Sequence, residues 1–177
     1  MADSYLQFSE IIPNLTEPEE AWLKEQLQLV CIFGDKEYPA DEDGYPIGNP
    51  EEVANQDPDW VIPRFLRDHK DDLEDNEQGF CTEFHDDHDK AGWGHHLWLY
   101  AEECGDPDNV ACLVRKFLKM FRPNDYWVLT YAATCSKPRA GEFGGGAVFV
   151  TADEIKGQNA YGFVEQERAA FEAKKAE

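Results

Sequence analysis

The chain has 177 residues and a mass of 20.2 kDa, the size of one domain with enough residues to bury a core. Asp and Glu number 37 against 16 Lys and Arg, a net charge of -21, while 42% of residues are hydrophobic and 13% aromatic. That aromatic supply opposes wholesale disorder, and the negative charge excludes a general binder of nucleic acid or of anionic membranes.

The N-terminal stretch MADSYLQFSE carries no basic-then-apolar leader. No apolar run approaches the roughly 20 residues that span a bilayer, so a cytoplasmic protein is expected. Thr16 to Glu19 fits a capping box, and Trp22, Leu23, Leu27 and Val30 follow at helical spacing. This predicts a helix over about 17–29 and a strand through Val30 to Phe33. Residues 35–78 read as an acidic insertion in the core, rich in proline and turn formers. Within it, Trp60, Val61, Ile62, Phe65, Leu66 and Leu73 predict a short helix over about 58–74, with Pro63 restricting its start.

Two hairpins are predicted, Phe80 to Asp86 with Trp93 to Ala101 and Tyr126 to Thr134 with Gly146 to Thr151, from their aromatic and β-branched content. Between them a helix starts at Asp106-Pro107, an acidic N-cap with proline in the first turn. Val110, Leu113, Val114, Phe117, Leu118 and Phe121 then recur at intervals of three and four. Arg115, Lys116, Lys119 and Arg122 lie off that stripe, where they complement the helix dipole. A last helix begins near Thr151 or Asn159 and carries Tyr161, Val164, Ala169 and Phe171. The expected fold is α+β, a single domain over 1–177. Its sheet, antiparallel or mixed, is built from two β-β-α units with helices packed on one face.

Five cysteines, Cys31, Cys81, Cys104, Cys112 and Cys135, form no C-x-x-C pair, so neither a disulfide framework nor a zinc ribbon is indicated. Four of the five histidines fall within twelve residues, His85, His88, His95 and His96, interleaved with Asp86, Asp87 and Asp89. Strand parity sets His85 and His96 on one face beside Glu83 and Trp98, puts His95 on the core face and leaves His88 in the connecting loop. Imidazole and carboxylate ligate divalent transition metals, so His85, His88 and His96 are the candidate ligands of a metal-dependent hydrolase or metal-sensing protein. The competing reading is a polar hairpin end whose histidines hydrogen-bond to nearby carboxylates.

Ser136 to Gly146 combines glycines with Lys137 and Arg139, which could hold an anion against backbone amides. A long hairpin connection explains the same residues. No catalytic set stands out, and no cofactor other than a metal is implied.

The charge is unevenly placed. Residues 1–34 hold 6 acidic and 1 basic residue, 35–109 hold 23 and 5, and 110–177 hold 8 and 10. The acidic clusters Asp41, Glu42, Asp43; Glu51, Glu52; Asp71, Asp72; and Glu74, Asp75 are the candidate partner-binding residues, with Tyr45 and Trp60 as neighbouring aromatic anchors. Duplex DNA carries about one negative charge per 1.7 Å of axis, so a fixed carboxylate array can compete for a basic groove. Charge runs also serve solubility. The charge distribution resembles that of small acidic inhibitors that imitate nucleic acid, antirestriction and anti-CRISPR proteins among them. Composition is a shared strategy and carries no residues across. The expected function is an acidic binding module that occupies the basic site of a nucleic-acid-handling protein.

Overall fold

The computed structural model describes residues 3–48, 53, 56–72, 78–86, 92–137 and 141–176, without the side chains of 69–72 and 174–176. In chain order the elements are β1 (Ser4–Ile12), α1 (Glu17–Leu27), β2 (Leu29–Phe33), β3 (Lys36–Pro39) and β4 (Trp60–Pro63). A 3-10 helix (Arg64–Asp72), β5 (Cys81–His85), β6 (His96–Ala101), α2 (Pro107–Phe121), β7 (Tyr126–Cys135), β8 (Gly144–Thr151), β9 (Ile155–Asn159) and α3 (Ala160–Ala176) follow. The fold is α+β, with one large antiparallel sheet, one small sheet and three α-helices. Among the described residues no helix is long and apolar enough to cross a membrane. None of the five cysteines is in a disulfide. The chain divides into two compact units, Thr16–Gln78 and Met1–Leu15 with Gly79–Glu177.

In the Thr16–Gln78 unit, Thr16 starts α1 by donating its amide and its hydroxyl to the Glu19 carboxylate, each at 2.8 Å. This neutralises an orphan donor of the chain entering the helix. The small sheet has the order β3-β2-β4, antiparallel throughout. Leu23, Val30, Ile32, Ile62, Phe65 and Leu66 are buried as its core. Where a helix is predicted over 58–74, the described residues form a strand followed by a 3-10 helix, and Leu73 lies outside them. Val61 and Ile62 are β-branched and pair with β2, and Pro63 lacks the amide that would extend an α-helix through it. β3, sitting in what reads as acidic loop, pairs with β2 through a turn in which Gly34 adopts a positive φ.

In the larger unit the strand order is β5-β6-β1-β7-β8-β9, each neighbour antiparallel. Both predicted hairpins form, but β1 lies between them, and β9 stands between the second hairpin and α3. Two adjoining β-β-α units therefore do not describe the sheet. The side chain of Asp106 accepts the amides of Asp108 (2.9 Å) and Asn109 (3.0 Å) to cap α2. Asp106 also packs against Gly79, whose φ of 72° and contact with the cap leave no room for a Cβ.

Val110, Leu113, Val114 and Phe117 of α2 are buried, and the helix packs on β7 and β8. Tyr161 of α3 lies over Gly144 on that same side. Arg122 closes the end of α2 by donating to the carbonyls of Pro13 and Asn14, both at 3.0 Å, with its guanidinium 5.1 Å from the Phe117 ring centroid. Among the described residues the opposite face of the sheet carries no helix of this unit. Trp98 stacks on Tyr100 there (4.1 Å) and Tyr126 on Phe149 (5.2 Å).

Candidate functional site

Charge separates with the two units. Thr16–Gln78 holds 19 acidic and 5 basic residues, net -14, and the rest of the chain holds 18 and 11, net -7. About a third of the residues thus bear two thirds of the charge. Three of the five cations of this unit are paired within it: Lys24 with Glu20 (2.6 Å), Arg64 with Glu25 (2.8 Å) and Glu37 (2.7 Å), and Arg67 with Glu37 (2.9 Å). Among the described residues no ion pair engages the exposed carboxylates of Asp35, Asp41, Glu42, Asp43, Asp57 and Asp59.

Three of the candidate partner-binding residues share one reverse turn after β3. Asp41 donates its amide to the Tyr45 carbonyl (2.9 Å), and its Oδ1 accepts from the amides of Asp43 (3.1 Å) and Tyr45 (2.8 Å). Such a side chain to backbone turn is what a short acidic residue favours. Gly44 has φ 82° and sits so close to Val61 that a Cβ would lie 3.1 Å from Cγ1, so the turn folds down onto β4. The Cys31 thiol donates to the Gly44 carbonyl (3.2 Å), and burial together with the Asp41 carboxylate pushes that thiol up.

Beside this turn, Tyr45 is 69% and Ile47 54% exposed, while Trp60 is half-buried in β4. Asp35, Asp57 and Asp59 lie toward the other end of the small sheet, where Asp59 accepts the Gly34 amide at 2.8 Å. Glu51, Glu52, Glu74 and Asp75 lie outside the described residues. Asp71 and Asp72 are placed at the end of the 3-10 helix by their backbone alone.

The histidines of the larger unit occupy the end of the β5–β6 hairpin. His85 and His96 are direct cross-strand partners with stacked rings 5.7 Å apart, as strand parity predicts. His96 Nδ1 lies 2.9 Å from the Gly94 carbonyl and must carry the proton, which leaves Nε2 as the lone-pair nitrogen of the neutral ring. His85 Nε2 lies 3.1 Å from Glu83 Oε2. His95 falls on the other face, stacked on Phe84 (6.3 Å) with Nδ1 2.9 Å from Asp86 Oδ1. Among the described residues no three His, Cys, Asp or Glu gather in a geometry that holds a metal ion. His88, Asp87 and Asp89 lie outside them.

Glu83 also accepts the Tyr100 hydroxyl at 2.7 Å, and this bond is the main reason the phenol is pushed up to about 12. The folded protein therefore favours the neutral phenol, a preference present in full below the ordinary tyrosine range near pH 10 and lost as the pH climbs to about 12. Comparing tyrosinate absorbance of the wild type with Tyr100→Phe isolates this group. The expected result is a last tyrosine ionising near pH 12 that moves down in Glu83→Gln. Ionisation near pH 10 in the wild type would remove the bond from the account.

Lys137 is exposed just beyond β7, and Arg139 lies outside the described residues. The connection to β8 is tied down by the Tyr161 hydroxyl, which donates to the Gly141 carbonyl. In comparisons with protein-family models, characterised proteins and solved structures, no family, relative or structural neighbour matches the chain.

Proposed function

We propose that this protein is an acidic binding module whose Thr16–Gln78 unit occupies the basic site of a protein that handles nucleic acid. The observation that carries the proposal is the net charge of -14 on that unit, whose paired cations leave six exposed carboxylates without ionic partners among the described residues. Like charges held at fixed positions attract a basic groove without the flexibility of a disordered acidic tail, and their field speeds association. Two carboxylate groups, one near the Gly34 turn and one at Asp41 to Asp43, flank β3. Six steps of about 3.3 Å from Asp35 to Asp41 hold them roughly 20 Å apart along the strand. Tyr45 and Ile47 add an apolar anchor beside the second group.

Affinity capture with the full chain from its native host, washed at graded salt and eluted with short duplex DNA, tests this function. Recovery of a nucleic-acid-binding protein released by duplex is expected. Captured proteins that duplex does not release would count against it.

One observation favours a second reading, a metal site: His85 and His96 are in register, and His96 has its Nε2 lone pair available. A third ligand would come from Glu83, or from Asp87 or His88, which lie outside the described residues. Stoichiometric zinc, nickel or manganese in untagged protein, lost in His85→Ala, supports that reading, and its absence ends it.

A further inference from the structure

The face of the six-stranded sheet opposite α2 differs from the rest of this chain in its charge. Alternation along the paired strands assigns its outward positions, and among the described ones Glu83 and Lys156 are charged, with the Glu10 carboxyl reaching the outward Thr130, against 30% of all residues. Glu83 is engaged by Tyr100 and His85, and Lys156 by Glu154 at 2.6 Å. Two rigid aromatic ridges stand on the face, Trp98 with Tyr100 on β6 and Tyr126 with Phe149 across β7 and β8. Tyr5, Gln7, Ser9 and Ile11 of β1 lie between them.

We infer that this face is a self-association surface on which a second copy of the chain stacks sheet to sheet. Charge selects the class of occupant. Nucleic acid needs cations along the face, and the single lysine is already paired, so aromatic stacking there lacks its electrostatic half. An aromatic face with so few charges is one that a second -21 chain can approach closely.

A twofold contact sets the same face of each copy, with its aromatic ridges, against the other. Size sets the strength. Six strands at about 4.8 Å and a shared length of about 20 Å give roughly 500 Å² of flat sheet per copy, so a dimer buries on the order of 1,000 Å². That is the low end of specific interfaces, the size of a transient contact rather than an obligate one.

Sedimentation velocity of the full chain over a concentration series at low and high salt tests the inference. The expected result is a monomer–dimer equilibrium that tightens as salt screens the repulsion between acidic chains. Binding through the acidic unit weakens with salt, so the two proposals fail separately. The double variant Val128→Glu, Phe149→Glu changes two exposed positions of the face and should weaken the dimer by about tenfold or more, with circular dichroism and melting as wild type. Phe163→Glu, an equally exposed aromatic on α3, should leave it unchanged. A monomer at every concentration and salt overturns the inference with no variant needed. So does a dimer that survives the double variant, or one that Phe163→Glu abolishes.

Discussion

Replacing Asp41, Glu42 and Asp43 together by Asn, Gln and Asn is expected to weaken binding to the captured partner by about tenfold to a hundredfold and to flatten its salt dependence. The magnitude follows from three exposed charges at about 0.5–1 kcal/mol each, with tenfold in affinity per roughly 1.4 kcal/mol. These substitutions suit the test because the turn survives them. The Asp41 Oδ1 that accepts the Asp43 and Tyr45 amides has an equivalent acceptor in Asn, and Gly44 still supplies the positive φ. Tyr45 therefore keeps its place, and Tyr45→Ala measures the apolar contribution apart from the charge. Titration at several salt concentrations separates the outcomes. Unchanged affinity and unchanged slope would remove this turn from the interface, while lost affinity with the wild-type slope would assign it a shape role and no electrostatic one.

Phe117→Ala is expected to cost about 3–5 kcal/mol, a large share of the roughly 5–15 kcal/mol that holds a domain folded. Phe117 is 1% exposed, lies 5.6 Å from the Phe121 ring and supports the Arg122 guanidinium. Removing the ring opens a cavity between α2 and the sheet. It also loosens the residue that ties the helix end to Pro13 and Asn14. The urea midpoint should fall steeply with the slope unchanged. A loss below about 1 kcal/mol would mean that α2 repacks and is not the keystone of the larger unit.

Legibility in the sequence followed the range of the interactions. α2 was readable because its cap, its proline and its apolar stripe all lie within sixteen residues of one another. The two hairpins were readable for the same reason, and with them the pairing of His85 with His96. β1 was not. Leu6, Phe8 and Ile12 alternate, but Glu10 interrupts the apolar face, and the strand's partners lie about a hundred residues away. Glu10 is tolerated at the cost of a carboxyl that burial pushes up, offset in part by hydrogen bonds from Thr130. β9 is exposed along its whole length and contains Gly157, so neither propensity nor pattern marks it.

Of the candidate sites, the uneven charge was visible as composition. Its confinement to a compact unit that pairs three of its own five cations required the fold, since Arg64 reaches Glu25 and Glu37 from 39 and 27 residues away. The charge-poor sheet face was hidden for a related reason. Strand parity already sets Trp98 off the core face, but Val128 and Phe149 look like core residues until β1 joins the two hairpins and α2 settles on the other side.

Displacement of a labelled DNA duplex from the captured partner, followed by fluorescence anisotropy as the full chain is added, tests the central claim most directly. If the acidic unit occupies the nucleic-acid site, duplex leaves one for one and displacement fades as salt rises. A stable complex in which partner, duplex and this protein coexist would contradict it.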